Sequence, residues 1–384
     1  MVYEPHEDSF LLKEFVHRYA RGNVLDMGTG SGIQAIEASH RPATDLVIAI
    51  DIDPEALKVA RKNSRFDKVK HKRIKWMLGD LFSPLSERKY RNFFDLIIFN
   101  APYLPQSQKK RHIDLEGGRK GNEVIRRFLQ KAARYLKPNG RILLVFSSLT
   151  PGVHEIIERN LFTERLLGKR RMFFEEIYVY ELKRSPILNA LERKGVEDIS
   201  YFASGKRGRI FVGRYSGKKV AIKLKNPKSR AVGTISNEAR MLKLVNKKGI
   251  GPEYLFHSSA FLVYKFVEGE LFKDVLESGS KKRIVGVCKK VLDQAFKLDL
   301  LGVDKKEMTR PLKHVIVKGS KVTLIDFERA RKLKKPHNVT QFAQCIATKV
   351  DRKRLSLWAD LGKRYKKERS EAVLKEMKKQ LDSI

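Results

Sequence analysis

The sequence predicts an α/β protein in which a doubly wound sheet is followed by a second, mixed α+β domain, and three observations carry that expectation. From Asn23 to Leu182 short β-branched runs alternate with helical periods. Successive runs end in acidic residues, and the alternation stops at a proline near position 186. Strands alternating with helices imply a mostly parallel sheet covered on both faces, because parallel neighbours need a crossover between them.

Taken in order, the strand segments are NVLDMG (23–28), DLVIAID (45–51), IKWMLGD (74–80), DLIIFN (95–100) and GRILLVFS (140–147). The pair within ERLLGKRRMFFEEIYVYEL (164–182) brings the strands to seven, and the alternation in FFEEIYVYEL suits an antiparallel hairpin closing the sheet edge. At KRSPILNALERKG (183–195) a proline that cannot continue a strand is followed by an amphipathic helix, so the boundary is expected between domains 1–184 and 185–384. Beyond it lie a strand-rich stretch, YFASGKRGRIFVGRYSGKKVAIKLK (201–225), then helices, a hairpin around IVKGSKVTLIDFE (316–328), and a helical tail with Leu374, Met377 and Leu381 on one face. No internal repeat interrupts this order.

A length of 384 residues exceeds a single core of ~100–200 residues. Hydrophobic residues make up 42% of the chain, enough for buried sheets, which excludes a disordered protein. No apolar stretch approaches the ~20 residues of a membrane span, and the opening MVYEPHEDSF is acidic, so a cytoplasmic protein without membrane contact is expected. Cys288 and Cys345 have neither CxxC spacing nor nearby histidines, which supports no disulfide framework and no zinc site. The formal charge of +37 favours a polyanionic neighbour such as RNA or the ribosome. Part of it lies in the runs 61–75 and 363–379, which read equally well as solvated helix faces.

LDMGTGSG (25–32) places Asp26, Gly28, Gly30 and Gly32 at the end of the first strand, and AIDID (49–53) closes the second with Asp51 and Asp53. A glycine turn between strand and helix lets a ligand approach the backbone, and a carboxylate at the next strand tip suits ribose hydroxyls. The spacing is GxGxG rather than the GxGxxG of nicotinamide-binding folds, and Asp26 precedes the first glycine where it can meet a cationic amino group. In LGDLF, Asp80 with Leu81 stands at the third strand tip, where an adenine edge is expected. The fourth strand ends in NAPYLP, with Asn100, Ala101, Pro102 and Tyr103. By itself that stretch could be a capped turn; after three acid-tipped strands it reads as chemistry.

The order DxGxGxG, AIDIDPEAL, GDLF, NAPY resembles the S-adenosylmethionine-dependent methyltransferases of the HemK type over residues 2 to 184. VYEPHEDSFLL (2–12), EGGRKGNEVIRRFL (116–129) and FFEEIYVY (173–180) are similar to the short archaeal and eukaryotic branch. The resemblance implies a Rossmann-like methyltransferase sheet and S-adenosylmethionine as cofactor. It implies N5 methylation of the glutamine in the Gly-Gly-Gln loop of a peptide-chain release factor, with a small zinc-binding activator protein as partner. An amide nitrogen is a poor nucleophile because its lone pair is conjugated, so catalysis must fix it in line with the sulfonium methyl. Asn100 would accept one of its N–H groups through the side-chain oxygen, the Ala101 carbonyl the other, with Pro102 stiffening the turn and Tyr103 offering a flat face. The family's motif is usually NPPY; alanine at 101 keeps the backbone acceptor. The same Asn and aromatic pair serves adenine N6 methylation of DNA or RNA, which needs a basic wall beside the pocket, and QSQKKRH (106–112) is the candidate. A non-catalytic RNA- or ribosome-binding scaffold is the third expectation.

From about residue 196 the order of features resembles the compact atypical kinases of the RIO and lipopolysaccharide-kinase kind. Gly205 and Gly208 lie in GKRGRIFVG (205–213), Lys223 ends VAIK, and Glu238 follows in ISNEARML. FLVYKFVEGELF (261–272) resembles the hinge, and VTLIDFERA puts Asp326 in the metal-binding position with Glu328 where the family has glycine. The resemblance implies two lobes, a Lys223–Glu238 ion pair, and ATP with Mg2+. DKKEMTRPLKHVIV (304–317) departs from the family's catalytic loop, offering Asp304 or Glu307 as base and His314 where a metal-binding Asn would lie, and no APE segment follows. Nucleotide binding is therefore expected more firmly than phosphotransfer.

Overall fold

The computed structural model describes residues 4–67, 73–85, 88–104, 118, 120–205, 208–226 and 233–384. The chain divides into two compact units, residues 1–195 and 196–384.

In the first unit the order is α1 (Glu7–Tyr19), β1 (Gly22–Met27), α2 (Ile33–His40), β2 (Thr44–Asp51), α3 (Pro54–Phe66), β3 (Ile74–Leu78), β4 (Phe94–Asn100), α4 (Glu123–Tyr135), β5 (Leu136–Ser147), α5 (Val153–Arg159), β6 (Phe162–Arg171), β7 (Glu176–Arg184) and α6 (Pro186–Arg193). The strands form one seven-stranded sheet in the order β3-β2-β1-β4-β5-β7-β6. Neighbours from β3 to β5 run parallel, and β7 is antiparallel to both β5 and β6. Central strands covered on both faces must be apolar throughout. Accordingly Val24 and Leu25 of β1 and Leu96, Ile97 and Ile98 of β4 are fully buried. Helices cover them through single faces: Ile125, Phe128, Leu129 and Ala132 recur at helical spacing on α4 and are buried. The strand order reverses between β1 and β4, and a crevice opens at the carboxyl ends of these strands, where doubly wound folds bind ligands.

The expected boundary at 184/185 differs from the observed division at 195/196. The helix after the proline is tied to the first unit. Arg184 donates to Asn92 Oδ1 (3.0 Å) and the Leu136 carbonyl (3.1 Å) and pairs with Glu192 on α6. Asn189 of α6 donates to the Pro138 carbonyl at 3.3 Å. Pro186 thus starts a helix in its first turn, where its missing N–H costs nothing.

The second unit opens with β8 (Val196–Ser204), β9 (Gly208–Tyr215), β10 (Lys218–Lys225), α7 (Thr234–Asn246), β11 (Tyr254–His257) and β12 (Phe261–Lys265). These strands make a five-stranded sheet, β11-β12-β10-β9-β8, antiparallel throughout. Next come β13 (Glu270–Leu271), α8 (Phe272–Ser278), α9 (Lys281–Leu300), β14 (Val303–Asp304), β15 (Val315–Lys318), β16 (Lys321–Leu324), β17 (Arg331–Lys332), α10 (Asn338–Lys349), α11 (Leu355–Glu368) and α12 (Glu371–Asp382). The β15–β16 pair is the hairpin read around IVKGSKVTLIDFE. Leu374, Met377 and Leu381 of α12 are buried on one face. Cys288 and Cys345 are buried and form no disulfide. Among the described residues no helix is long and apolar enough to cross a membrane.

Candidate active site

Most side chains of the site in the first unit are placed by strand ends, and helices α1 and α4 supply the others. After β1 the chain turns through Gly28, Gly30 and Gly32, all with positive φ. At Gly32 (φ +84°), which caps α2, an added Cβ would lie 2.9 Å from that of Ala60, so only glycine lets α2 and α3 approach here. Asp26, 2% exposed, accepts from Thr29 Oγ1 (2.6 Å) and the Ala35 N–H (3.0 Å). Burial pushes its carboxyl up to about 7 against the pull of those two donors. Asp51 accepts from the Gly30 N–H (2.8 Å) and the Asp53 N–H (2.9 Å), and burial raises its pKa as well. Both carboxylates therefore hold the glycine turn in shape, and each has lone pairs left for a ligand. Asp53 caps α3 by accepting from the Glu55 N–H. Asp80 pairs with Arg127 of α4, and Leu81 beside it takes a left-handed φ of +50°.

A cavity of about 530 Å³ lies over these strand ends. Asp26, Gly28, Gly30, Asp51, Asp80, Leu81 and all four residues from Asn100 to Tyr103 line it; Gly32 does not, and serves packing. Asn100 donates from Nδ2 to Asp8 Oδ2 (3.0 Å) and Ser9 Oγ (3.3 Å). Tyr103 donates its hydroxyl to the same Asp8 oxygen at 3.2 Å, and its carbonyl accepts from Thr150 Oγ1 at 3.0 Å. A carboxylate can only accept, so Asp8 settles which end of the Asn100 amide faces it. The opposite end, Oδ1, is buried and has no hydrogen-bond partner. Such an acceptor, costly to leave unmet in the protein, is one that a bound N–H group would satisfy.

Sequence reasoning did not single out Asp8 or Ser9. The available signal was the acidic pair Glu7 and Asp8 opening an amphipathic run, which marks a helix start. The basic run 106–112 lies outside the described residues, as do residues 206–207 of the glycine hairpin and parts of 2–12 and 116–129.

In the second unit Lys223 on β10 is 6% exposed, with Nζ 2.7 Å from Glu238 on α7, 2.9 Å from Asp326 and 3.2 Å from Glu328. Burial by itself would lower its pKa; the three carboxylates hold it well above the ordinary lysine value. Glu238 also accepts from the Phe327 N–H at 3.1 Å, tying α7 to the segment after β16. Gly208 lies against Lys223, where a Cβ would stand 3.0 Å from its Cε, and the Gly205 N–H donates to the Gly208 carbonyl at 2.8 Å. Glu307, His314 and Asp326 converge, their ligand atoms within 4.8 Å of one another; Asp304 is buried on β14 outside that group, 3.9 Å from Arg331. Lys305, not singled out in the sequence, is buried and its pKa is pushed down to about 8 by that burial, while its Nζ donates to the Asp326 carbonyl at 3.0 Å.

Comparison with known proteins adds to this geometry. The family described as Methyltransferase small domain matches residues 7–174. A protein of Methanocaldococcus jannaschii named as an N5-glutamine methyltransferase is 33% identical over 186 residues, which cover 46% of this chain and 89% of that protein. The ribosomal protein uL3 glutamine methyltransferase of Bradyrhizobium diazoefficiens is 35% identical over 33% of this chain and 41% of its own length. The release factor glutamine methyltransferase of Koribacter versatilis is 30% identical over 38% of this chain and 53% of its own length. The chain thus spans about half the length of these last two relatives. Through its first unit, the chain belongs to the family of S-adenosylmethionine-dependent N5-glutamine methyltransferases.

Proposed function

We propose that the first unit methylates the side-chain nitrogen of the glutamine in the Gly-Gly-Gln loop of a peptide-chain release factor, using S-adenosylmethionine held by the glycine turn, Asp26, Asp51, Asp80 and Leu81. The observation that carries this reading is the Asn100 amide, with its nitrogen clamped by Asp8 and Ser9 and its oxygen buried and unmatched. In the reaction the glutamine amide presents two N–H groups, one to Asn100 Oδ1 and one to the Ala101 carbonyl. That fixes the nitrogen toward the sulfonium methyl, with Pro102 holding the turn and the Tyr103 ring against the planar amide. S-adenosylmethionine bound there would supply the methyl group and depart as the neutral thioether, while the nitrogen held by Asn100 and the Ala101 carbonyl would gain that methyl and give up one proton to water. Positioning supplies most of the rate, since the groups lining this turn need not change protonation state. Relatives named for release-factor glutamine methylation support the substrate class. A small zinc-binding activator protein, a cytoplasmic location beside the translation machinery, and a basic surface in contact with the ribosome or RNA belong to the same reading.

The test offers labelled methyl donor to three acceptors: a release factor, ribosomal proteins, and an adenine-containing oligonucleotide. Label is expected in the release factor's Gly-Gly-Gln peptide, entering about 10²–10³-fold more slowly with Asn100→Ala. Label only in the oligonucleotide favours adenine methylation, and label only in a ribosomal protein moves the substrate.

A second reading concerns residues 196–384, and the buried Lys223 with its three carboxylates favours it. We infer that this unit is a kinase-like nucleotide-binding module in which Lys223, oriented by Glu238, meets ATP phosphates beneath the Gly205–Gly208 hairpin, and Asp326 meets Mg2+. A bound phosphate would take the place Glu328 now holds at Lys223. ATP titration is expected to show magnesium-dependent affinity that Lys223→Ala abolishes; equal binding by that variant would reject the reading.

A further inference from the structure

We propose that the groove between α7 and β11 grips a strand of RNA by its phosphate backbone. The proposal rests on the reading above of a basic surface in contact with RNA, which it assigns to one set of residues; it is independent of the methylation and nucleotide readings.

The two faces of α7 differ in character. Inward, Ile235, Glu238, Ala239, Leu242 and Val245 are buried, and Glu238 meets Lys223 at 2.7 Å. Outward, Ser236, Arg240, Lys243 and Lys247 recur at intervals of four, three and four, which puts them on one stripe of the helix. With Leu244 and with His257 of β11 they line a cavity of about 310 Å³. No carboxylate lines it among the described residues. Glu238, the one acid of α7, is turned inward, β11 has none, and Glu253 just before β11 pairs with Lys265 at 3.6 Å.

The cationic groups are held in place. Arg240 donates to Asn237 Oδ1 (2.8 Å), and Asn237 Nδ2 in turn donates to the Glu328 (2.8 Å) and Ala330 (3.0 Å) carbonyls. The guanidinium keeps further donors for a ligand. Lys243 Nζ lies over the Tyr254 ring, 4.8 Å from its centre, and the Tyr254 hydroxyl lies 2.8 Å from His257 Nδ1, which leaves Nε2 for a ligand. Burial and the Lys243 charge hold the His257 pKa below its ordinary value, as a positive potential without a counter-ion does. Arg240 to Lys247 covers about 10 Å of helix, more than one phosphate spans, so the row suits successive phosphates of a strand. An acidic peptide fits less well, because peptide grooves hold apolar anchors and Leu244 is the one apolar side chain lining this one. Phosphate contacts supply affinity without reading sequence, and a chain of net charge +37 draws a polyanion to them.

The test uses the full chain and a fluorescein-labelled single-stranded oligoribonucleotide of about 12 nucleotides, with binding followed by fluorescence anisotropy across salt concentration. Arg240→Gln, Lys243→Gln and Lys247→Gln combined should weaken binding about 10- to 100-fold at about 0.1 M salt. The slope of log affinity against log salt should flatten by about 2, the share of three phosphate contacts on a single strand. The charge-keeping set Arg240→Lys, Lys243→Arg and Lys247→Arg should bind within about threefold of the unaltered chain. So should an equal charge loss at exposed lysines of α11, Lys363→Gln, Lys366→Gln and Lys367→Gln combined. Circular dichroism melts confirm that each variant is folded. An equal loss in the α11 variant, an unchanged slope in the folded groove variant, or groove-dependent binding of a phosphoserine peptide but not of the oligonucleotide overturns the proposal. Absence of any RNA binding by the full chain defeats the basic-surface reading with it, whereas RNA binding that ignores the groove defeats this inference alone.

Discussion

Asp8→Asn tests how the site is oriented, because the substitution keeps size and removes only the certainty that the partner is an acceptor. Asp8 Oδ2 takes hydrogen bonds from Asn100 Nδ2 (3.0 Å) and the Tyr103 hydroxyl (3.2 Å). With an amide in its place, an N–H can face Asn100, whose own amide then turns over and offers N–H to the substrate's N–H. A hydrogen bond to a charged group contributes about 1.5–3 kcal/mol, and about 1.4 kcal/mol corresponds to a tenfold rate change. The expected loss in kcat is therefore roughly 10- to 150-fold. Affinity for S-adenosylmethionine should stay within about twofold, since Asp26 and Asp51 are untouched. Single-turnover transfer of labelled methyl to the release factor, beside calorimetric titration of the donor, measures both quantities. A kcat within about twofold of the unaltered protein, or a loss wholly explained by weaker donor binding, refutes the reasoning.

Asn100→Ala should lower kcat about 10²–10³-fold while the donor still binds, the scale of removing one oriented hydrogen-bonding group at a reacting centre; donor calorimetry and labelled transfer together check it. Asp26, with its carboxyl pushed up to about 7, pairs with the donor's cationic amino group only when ionised. Donor affinity should therefore rise with pH up to about 7 and level off above it, and Asp26→Asn should flatten that profile. Because the folded pKa lies above the unfolded value of 3.8, the free first unit should lose stability as pH rises from about 4 toward about 7. Urea titrations across that window decide it. Lys223→Met leaves Glu238 and Asp326 without their shared cation, which costs about 3–5 kcal/mol and should lower the second unit's melting transition by roughly 6–20 °C at about 2–4 °C per kcal/mol. A calorimetric shift under about 3 °C would contradict it.

The fold of the first unit was legible because its cause is local. Apolar runs such as Leu96–Phe99 and the helical spacing of Ile125, Phe128, Leu129 and Ala132 are properties of neighbouring residues, and their alternation leaves little choice beyond a parallel sheet. The glycine turn, the acids at strand tips and the Asn100–Tyr103 stretch were readable for the same reason, since each sits where a strand ends. The domain boundary was less so, because a proline marks the end of a strand and cannot tell which core the next helix joins; Arg184 with Asn92, Leu136 and Glu192 decides that.

What the residues alone determined about this protein is the order of its elements and the chemistry standing at their ends. What only the folded chain decided is which side chains meet. Asp8 and Asn100 are 92 positions apart, and Lys223 and Asp326 are 103 apart. Periodicity reports contacts a few residues away and is silent at such distances, whereas packing of helices onto the sheet brings those atoms within hydrogen-bond reach. The amide of Asn100 has a direction only because a carboxylate from the first helix lands against it.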